Sequence, residues 1–463
     1  MIKSGSLLKA NGGYLILDAE QVLRQPYVYD ALKRYLRSKY LHIEDVHNLY
    51  GYATTVGLKP MPIPINVKVI LIGHKNIYNM LHSADEDFRK IFKIRADFDY
   101  EVTESQKNIS KYIQFIARVV QEEKLKHFDK TGVQAIIEHA YRLVDHQKRI
   151  SIRFSEIVRL IREASYWAEQ GRSKIVTKKF VLKALSEEKY RRNMSEEKIQ
   201  MAIKENTYIF DVDKFVVGQI NGLAVYSLGD YSFGKPSRIT ASTYIGSRGI
   251  INIEREAKLS GKLHDKGMLI LSGYFASKFG DKIPLSFSAS LVFEQSYGMI
   301  DGDSASCAEL YALLSSLSGV PIYQGIAVTG SVNQKGEVQA IGGVNEKIEG
   351  FYEVCKMHKL NGKQGVIIPC SNKKNLILND EIINSVKTGK FNIWSVDKIE
   401  DGIRILTGIA AGVEHKDGTF TKDSIFEKAQ SRIKEFGKNA KQFGKDIADS
   451  MKKTNNISDE DSE

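Results

Sequence analysis

Not one proline falls between residues 104 and 198. Proline fixes φ, lacks an N–H and breaks helix interiors, so this long run is free to be helical throughout. Its apolar residues recur at three- and four-residue spacing, as at Ile109, Ile113, Ile116 and Val120. That spacing gathers them on one helical face. The run is predicted to form three or four packed helices, ending in a charged linker at Ser186–Lys198. A helical block of this kind divides the chain and forces separate architectures on either side of it.

Ahead of it, residues 11–19 (NGGYLILDA) read as a buried strand entered from a Gly-Gly turn. Residues 21–48 carry helical apolar spacing. A second buried strand is predicted at Val67–Ile72, approached through Pro60, Pro62 and Pro64, which keep the chain extended and pair poorly. A third is placed near Ala96–Val102. Strand, helix, strand suggests an α/β unit over 1–103. Behind the block, short glycine-rich β segments run from about 207 to 294. A helix follows at 304–318, a hairpin at 326–341, then alternating helix and strand to about 410, an α+β texture over 199–410. The tail, 411–463, differs again. Phe426, Ala429, Ile433, Phe436, Ala440, Phe443 and Ile447 form a heptad seam. It predicts an amphipathic helix packing on a partner, with a short acidic disordered end at Ser458–Glu463. There is no internal repeat.

At 463 residues, about three domains are expected. Lys plus Arg number 67 against 56 Asp plus Glu, a net charge of +11. The excess is spread along the chain, so a solvated basic surface is expected. The 22 Tyr and 20 Phe could stack on nucleic-acid bases, yet there is no recognised module or concentrated basic stripe. Cys307, Cys355 and Cys370 lack CxxC spacing, which excludes a disulfide framework or cysteine zinc cluster and fits a reducing cytoplasm. No metal site is predicted. Apolar runs fall short of the roughly 18 residues that span a membrane, and Met1–Ala10 shows no signal-peptide core.

Tyr14–Asp18 looks like a Walker B strand, whose carboxylate would hold Mg²⁺. A phosphate-cradling GxxxxGK[ST] is missing. The near match Gly229–Lys235 is followed by Pro236, which has no hydroxyl, and lies far downstream of Asp18. It is read as a hairpin turn. After Asp18 comes Ala19, with Glu20 one residue late, on the opposite strand face. The chain is expected not to hydrolyse ATP by itself, and ATP with Mg²⁺ is not an expected cofactor.

The stretch Asp301-Gly-Asp-Ser304-Ala-Ser-Cys-Ala-Glu309 opens a helix with Leu310, Leu313, Leu314 and Leu317 on one face. Backbone N–H groups at a helix start can stabilise an oxyanion; an N-cap serine is the plainer reading. Downstream, Ala340-Ile-Gly-Gly-Val-Asn-Glu-Lys347 leads a glycine pair into a helix. Lys347 can serve as a base only if burial depresses its pKa; a surface lysine is the plainer reading. Between them, Thr329 sits near a strand end and could hydrogen-bond an amine.

Together these residues resemble the Lon (La) family of Ser-Lys proteases. GDSAS, AVTGSV, a hairpin with GEV, and AIGGVNEKIE occur in the family's order. The offsets from Ser304 to Thr329 (329 − 304 = 25) and to Lys347 (347 − 304 = 43) also agree. GDSAS resembles the archaeal-type branch rather than the bacterial GPSAG form. Val217–Val225 and Ser237–Ser242 look like the start of the family's protease domain. The resemblance implies that Ser304 is the nucleophile, Lys347 its base and then its acid, and that Thr329 positions Lys347. Histidine is not required; His264 and His358 have no nucleophile motif beside them. Asp301, Asp303 and Glu294 lie near the nucleophile in sequence, with capping or loop hydrogen bonding as their plainer roles.

Residues 1–198 resemble the later half of a Lon-type AAA+ module: a partial α/β subdomain (1–103) and a helical lid (104–198). Val67–Gly73 matches the sensor-1 strand, with His74 where a polar sensor such as Asn is expected. Arg95, then Arg89, match the arginine-finger region, and Arg153 matches sensor 2. Without a phosphate cradle, structural roles are expected for these arginines and for Asp18. A serine endopeptidase acting on unfolded or damaged proteins follows, ATP-independent and assembled as a homo-hexamer. A companion chain carrying the P-loop half is the implied partner. The alternative is a non-proteolytic remnant or scaffold subunit of such an assembly.

Overall fold

A computed structural model describes residues 4–43, 60–280 and 285–460, with side chains to Asp446. The chain divides into two compact units, Met1–Phe98 and Asp99–Glu463.

In the first unit, Tyr14–Asp18 and Lys68–Ile72 pair in parallel. Both strands alternate half-buried with exposed residues. The expected burial on both faces therefore holds on one only. Val22, Leu32, Tyr35, Ile65 and Val67 form the core beneath that face, while Tyr14, Ile16, Ile70 and Ile72 stand exposed. The helical spacing over 21–48 is also interrupted. Helix Ala19–Arg24 stops at extended Gln25, as the residue before Pro26 requires. Val28–Ser38 then ends at left-handed Lys39. Tyr40–Leu41 pairs with Ile63–Pro64, so the proline-rich approach does enter a ladder. Residues 44–48 lie outside the described residues.

The strand expected near Ala96–Val102 is Glu101–Thr103, and it pairs antiparallel with Arg149–Ser151 in the second unit. Helices Gln106–Glu122, Lys130–Arg142, Phe154–Gln170 and Lys178–Arg192 follow the proline-free run. Ser105 and Asp129 cap the first two through their side chains. Ile116, Ile136, Ile157, Ile161 and Ala164 bury the common face. The expected linker Ser186–Lys198 is instead helical: Lys178–Arg192 is followed directly by Met194–Lys204. Its charges are a solvated face laced by pairs such as Arg192–Glu188 at 2.7 Å and Arg191–Glu163 at 2.8 Å.

The α+β part is built on a seven-stranded mixed sheet. Its order is Gly249–Asn252, Phe287–Phe293, Tyr231–Ile245, Gln219–Leu228, Ile326–Val328, Gly365–Pro369 and Asn392–Val396. The last four strands run parallel; Tyr231–Ile245 is antiparallel to both its neighbours. Ile326–Val328 belongs to this sheet, so the hairpin is shorter than expected: Ser331–Val332 with Val338–Gln339. Helix Lys262–Phe279 lies where only strands were expected. It is apolar on most sides and carries Gly267 and Gly273, which hide its period. Helix Ser306–Ser318 buries Leu310, Leu313, Leu314 and Leu317, as its spacing predicts.

The first part of the tail helix, Ile425–Glu460, packs on this chain itself. Phe426, Ala429, Ile433 and Phe436 enter the same core as the Ser306 helix. Farther along the seam, Phe443 is exposed, and the Ile447 side chain lies outside the described residues. The helix continues through Ser458–Glu460, so these residues are not the disordered end expected; 461–463 lie outside the description. Phe426 is fully buried among Phe279 and Phe420. Phe426→Ala should cost about 3–5 kcal/mol, read as a lower urea midpoint than wild type. An unchanged midpoint would mean that the tail does not dock. Among the described residues, no helix is long and apolar enough to cross a membrane.

Candidate active site

Ser304 sits on the turn that feeds helix Ser306–Ser318. The turn is fastened on two sides. Asp301 Oδ1 accepts the N–H groups of Gly302, Leu263 and His264, which ties the loop to the start of helix Lys262–Phe279. Asp303 Oδ2 accepts the Ser331 hydroxyl at 2.7 Å, and Ser306 Oγ accepts the Val332 N–H. Gly330 N–H donates to the Ser304 carbonyl at 2.8 Å, and Cys307 N–H to the Gly330 carbonyl. The segment 329–332 is thus zipped to the serine turn.

Lys347 arrives from helix Val344–Met357. Gly343, in the left-handed region at φ +65°, turns the chain into it. Lys347 is 3% exposed. Its Nζ donates to Ser304 Oγ at 2.8 Å and to Thr329 Oγ1 at 3.1 Å. Thr329 in turn donates to the Ser304 carbonyl. Burial disfavours the ammonium. Nearby Asp303 and Glu346 oppose that effect only in part, and the pKa falls to about 8. About one tenth is therefore neutral at pH 7 and about half at pH 8, and a neutral amine can accept a hydroxyl proton. Ser304 and Lys347 open onto a cleft walled by Leu223, Val225, Tyr226, Phe293 and Met299.

The remaining sequence candidates make other contacts. Glu294 accepts from Thr240 on the sheet. Asp18 caps its own helix through the Gln21 N–H. Arg89 donates to the His82 carbonyl, and Arg95 pairs with Asp97 over the Tyr78 ring. Arg153 lies over Tyr100. Gly229–Lys235 is the expected hairpin turn, with Gly229 at φ +66° between paired strands. His264 is buried beneath the serine loop, and burial lowers its pKa. Among the described residues no His, Cys, Asp or Glu cluster could hold a metal ion.

Two features at the site escaped the sequence reading. Gly234 and Gly350 bring a strand and the Lys347 helix into backbone contact. Arg142, from the helical block, pairs with Glu346 and Glu349 beside Lys347. Nothing local in sequence links positions two hundred residues apart.

Three family profiles match the chain: a "LonB-like, AAA domain" over 1–99, an "Archaeal LonB, AAA+ ATPase LID domain" over 127–191, and a "Lon protease (S16) C-terminal proteolytic domain" over 298–407. Among similar curated proteins, a "Putative Lon protease homolog" of Escherichia coli K12 is 32% identical over 88% of this chain and 69% of its own. The protein of the same name from Haemophilus influenzae is 33% identical over 93% and 70%. An "Archaeal Lon protease" of Thermoplasma volcanium is 28% identical over 87% and 60%.

Proposed function

Because this chain belongs to the Lon protease family, we propose that it is a serine endopeptidase working through a Ser304–Lys347 dyad on unfolded protein chains. The observation that carries the reading is the 2.8 Å contact between Lys347 Nζ and Ser304 Oγ, made by an amine buried enough to lose its proton. Neutral Lys347 takes the hydroxyl proton as Ser304 attacks the peptide carbonyl. Thr329 holds the amine in line. The backbone N–H groups of Ser304 and Ala305, which have no partner among the described residues, are the donors for the oxyanion. The Lys347 ammonium then protonates the leaving amine. Water attacks the ester, with Lys347 again as base, and frees Ser304.

Assembly as a homo-hexamer belongs to the same reading, with turnover that does not require ATP. So does a companion chain carrying the phosphate-binding half; the exposed face of Tyr14, Ile16, Ile70 and Ile72 supports such a partner. The test is hydrolysis of an unfolded casein-type substrate with and without Mg-ATP. Cleavage in both conditions is the expected result. Its absence in both would favour the non-proteolytic subunit.

The pH dependence follows from Lys347. The reactive form is the neutral amine, so kcat/KM should rise about tenfold per pH unit below the pKa and level off above about 8. A profile that is flat from pH 6 to 9 would remove Lys347 as the base. Stability moves in the same direction. The folded pKa lies below the ordinary lysine value, so the unfolded chain binds more protons between the two and stability rises with pH across that window.

A further inference from the structure

The helix that carries Lys347 is gripped from outside the α+β part. Arg142, the last residue of helix Lys130–Arg142, places one guanidinium nitrogen 2.8 Å from Glu346 Oε1. The same guanidinium meets both oxygens of Glu349, at 3.0 and 2.9 Å, and donates to the Ile377 carbonyl. Three residues on, Asp145 accepts from Asn345 Nδ2 at 2.8 Å, and its carbonyl accepts from Asn375. Gln147 N–H donates to the Lys374 carbonyl. The segment 142–147 is thereby locked onto the first two turns of helix Val344–Met357.

The charges at this junction bear on Lys347. Glu346 precedes it in sequence and favours its ammonium, as does Asp303 from the serine loop. Burial and Glu346 push the Asp145 carboxyl up, and burial does the same to Glu349. Lys189 and Tyr231 face Glu349 from the far side. Strand Tyr231–Ile245 sends Lys235 away, over the rings of Tyr208 and Tyr226. Burial disfavours the Arg142 cation, and Glu349, Glu346 and Asp145 more than offset it. Arg142 is thus the cation from the helical block that pairs directly with both Glu346 and Glu349.

We propose that Arg142 is a positioning residue for the reaction: by pairing Glu346 and Glu349 it holds the Lys347 helix in place and screens the Glu346 carboxylate beside Lys347. The inference rests on the dyad reading above. It makes the helical block part of the proton-transfer machinery, so that any motion separating the block from the Lys347 helix shifts Lys347 further toward its charged, unreactive form. At separations of several ångströms an unscreened carboxylate favours the ammonium by about one pKa unit or more.

Two readouts on the whole chain test it. One is the pH profile of peptide cleavage. The other is competitive labelling of Lys347 by a small amine reagent across pH, read by mass spectrometry, which needs no turnover. Arg142→Gln should move both Lys347 curves up by about one pH unit. Cleavage at pH 7 then falls about tenfold, while the high-pH plateau is kept. Arg142→Lys should restore most of that loss. Glu346→Gln should move the curves down, and the Arg142→Gln/Glu346→Gln pair should sit near wild type. A lowered plateau with unmoved curves in Arg142→Gln would overturn the proposal and leave a merely structural clamp. If Arg142→Gln fails to fold, Glu346→Gln decides alone: unmoved curves overturn it. A Lys347 labelling curve that responds while Ser304→Ala still cleaves would instead reject the dyad and spare the electrostatic coupling.

Discussion

Ser304→Ala is expected to lower cleavage of an unfolded protein substrate by at least about a thousandfold, to the background of the assay. Lys347→Ala should do the same, and the double variant should be no slower than either single one. That non-additivity is the signature of groups acting as one unit, because a nucleophile without its base and a base without its nucleophile are equally idle. Unfolding does not account for such a loss. Lys347→Met keeps most of the volume and removes a cation that burial disfavours, so its melting temperature should equal or exceed that of wild type. Full activity in either single variant would reject the dyad. Loss of activity together with loss of the fold in Lys347→Met would show that the amine is structural.

Gly350→Ala should be nearly as damaging for a different reason. The strand Tyr231–Ile245 crosses the Lys347 helix with backbone against backbone. A methyl on Gly350 would overlap the Gly234 carbonyl, and one on Gly234 would overlap the Glu346 carbonyl. Neither obstacle is a side chain that can swing away, so strand and helix must separate. Overpacking of this kind costs about 3 kcal/mol. The displacement is passed straight to Lys347, and a shift near 1 Å in a reacting group costs about a hundredfold in rate. Thermal melting and substrate cleavage measured side by side check both effects. A variant that melts and cleaves like wild type would mean that the two backbones do not meet.

That crossing marks the limit of what could be read in advance. Gly234-Lys235 was notable in sequence only as a failed phosphate loop. Its hairpin turn was legible, because Pro236 and its place in the chain argued against a nucleotide. The contact of Gly234 with Gly350 was not, because close approach depends on which strand passes under which helix. Ser304, Thr329 and Lys347 were legible as residues, and their meeting is long-range geometry. The four leucines of the Ser306 helix were legible because small residues such as Ala308, Ala312 and Ser315 fill its other, equally buried sides and leave the leucines' 3.6-residue period visible. Helix Lys262–Phe279 was missed because His264 and Gly267 stand on its buried face while Leu263 and Leu269 stand on its exposed one, which blurs the period in sequence. The charged stretch near Ser186 was misread because a solvated helical face and a linker share a composition. Arg142 looked like one arginine among many until the fold set it against two glutamates.

The docked half of the tail helix has a consequence for how the molecule comes into being. Phe426, Ala429, Ile433 and Phe436 complete the core against which the Ser306 helix packs, yet the ribosome makes them after every candidate catalytic residue. Chains are made from the N-terminus, and segments fold as they emerge. The nascent chain thus carries Ser304 and Lys347 for some time without the last wall of their scaffold. The order of synthesis keeps this scaffold incomplete until the tail helix has emerged.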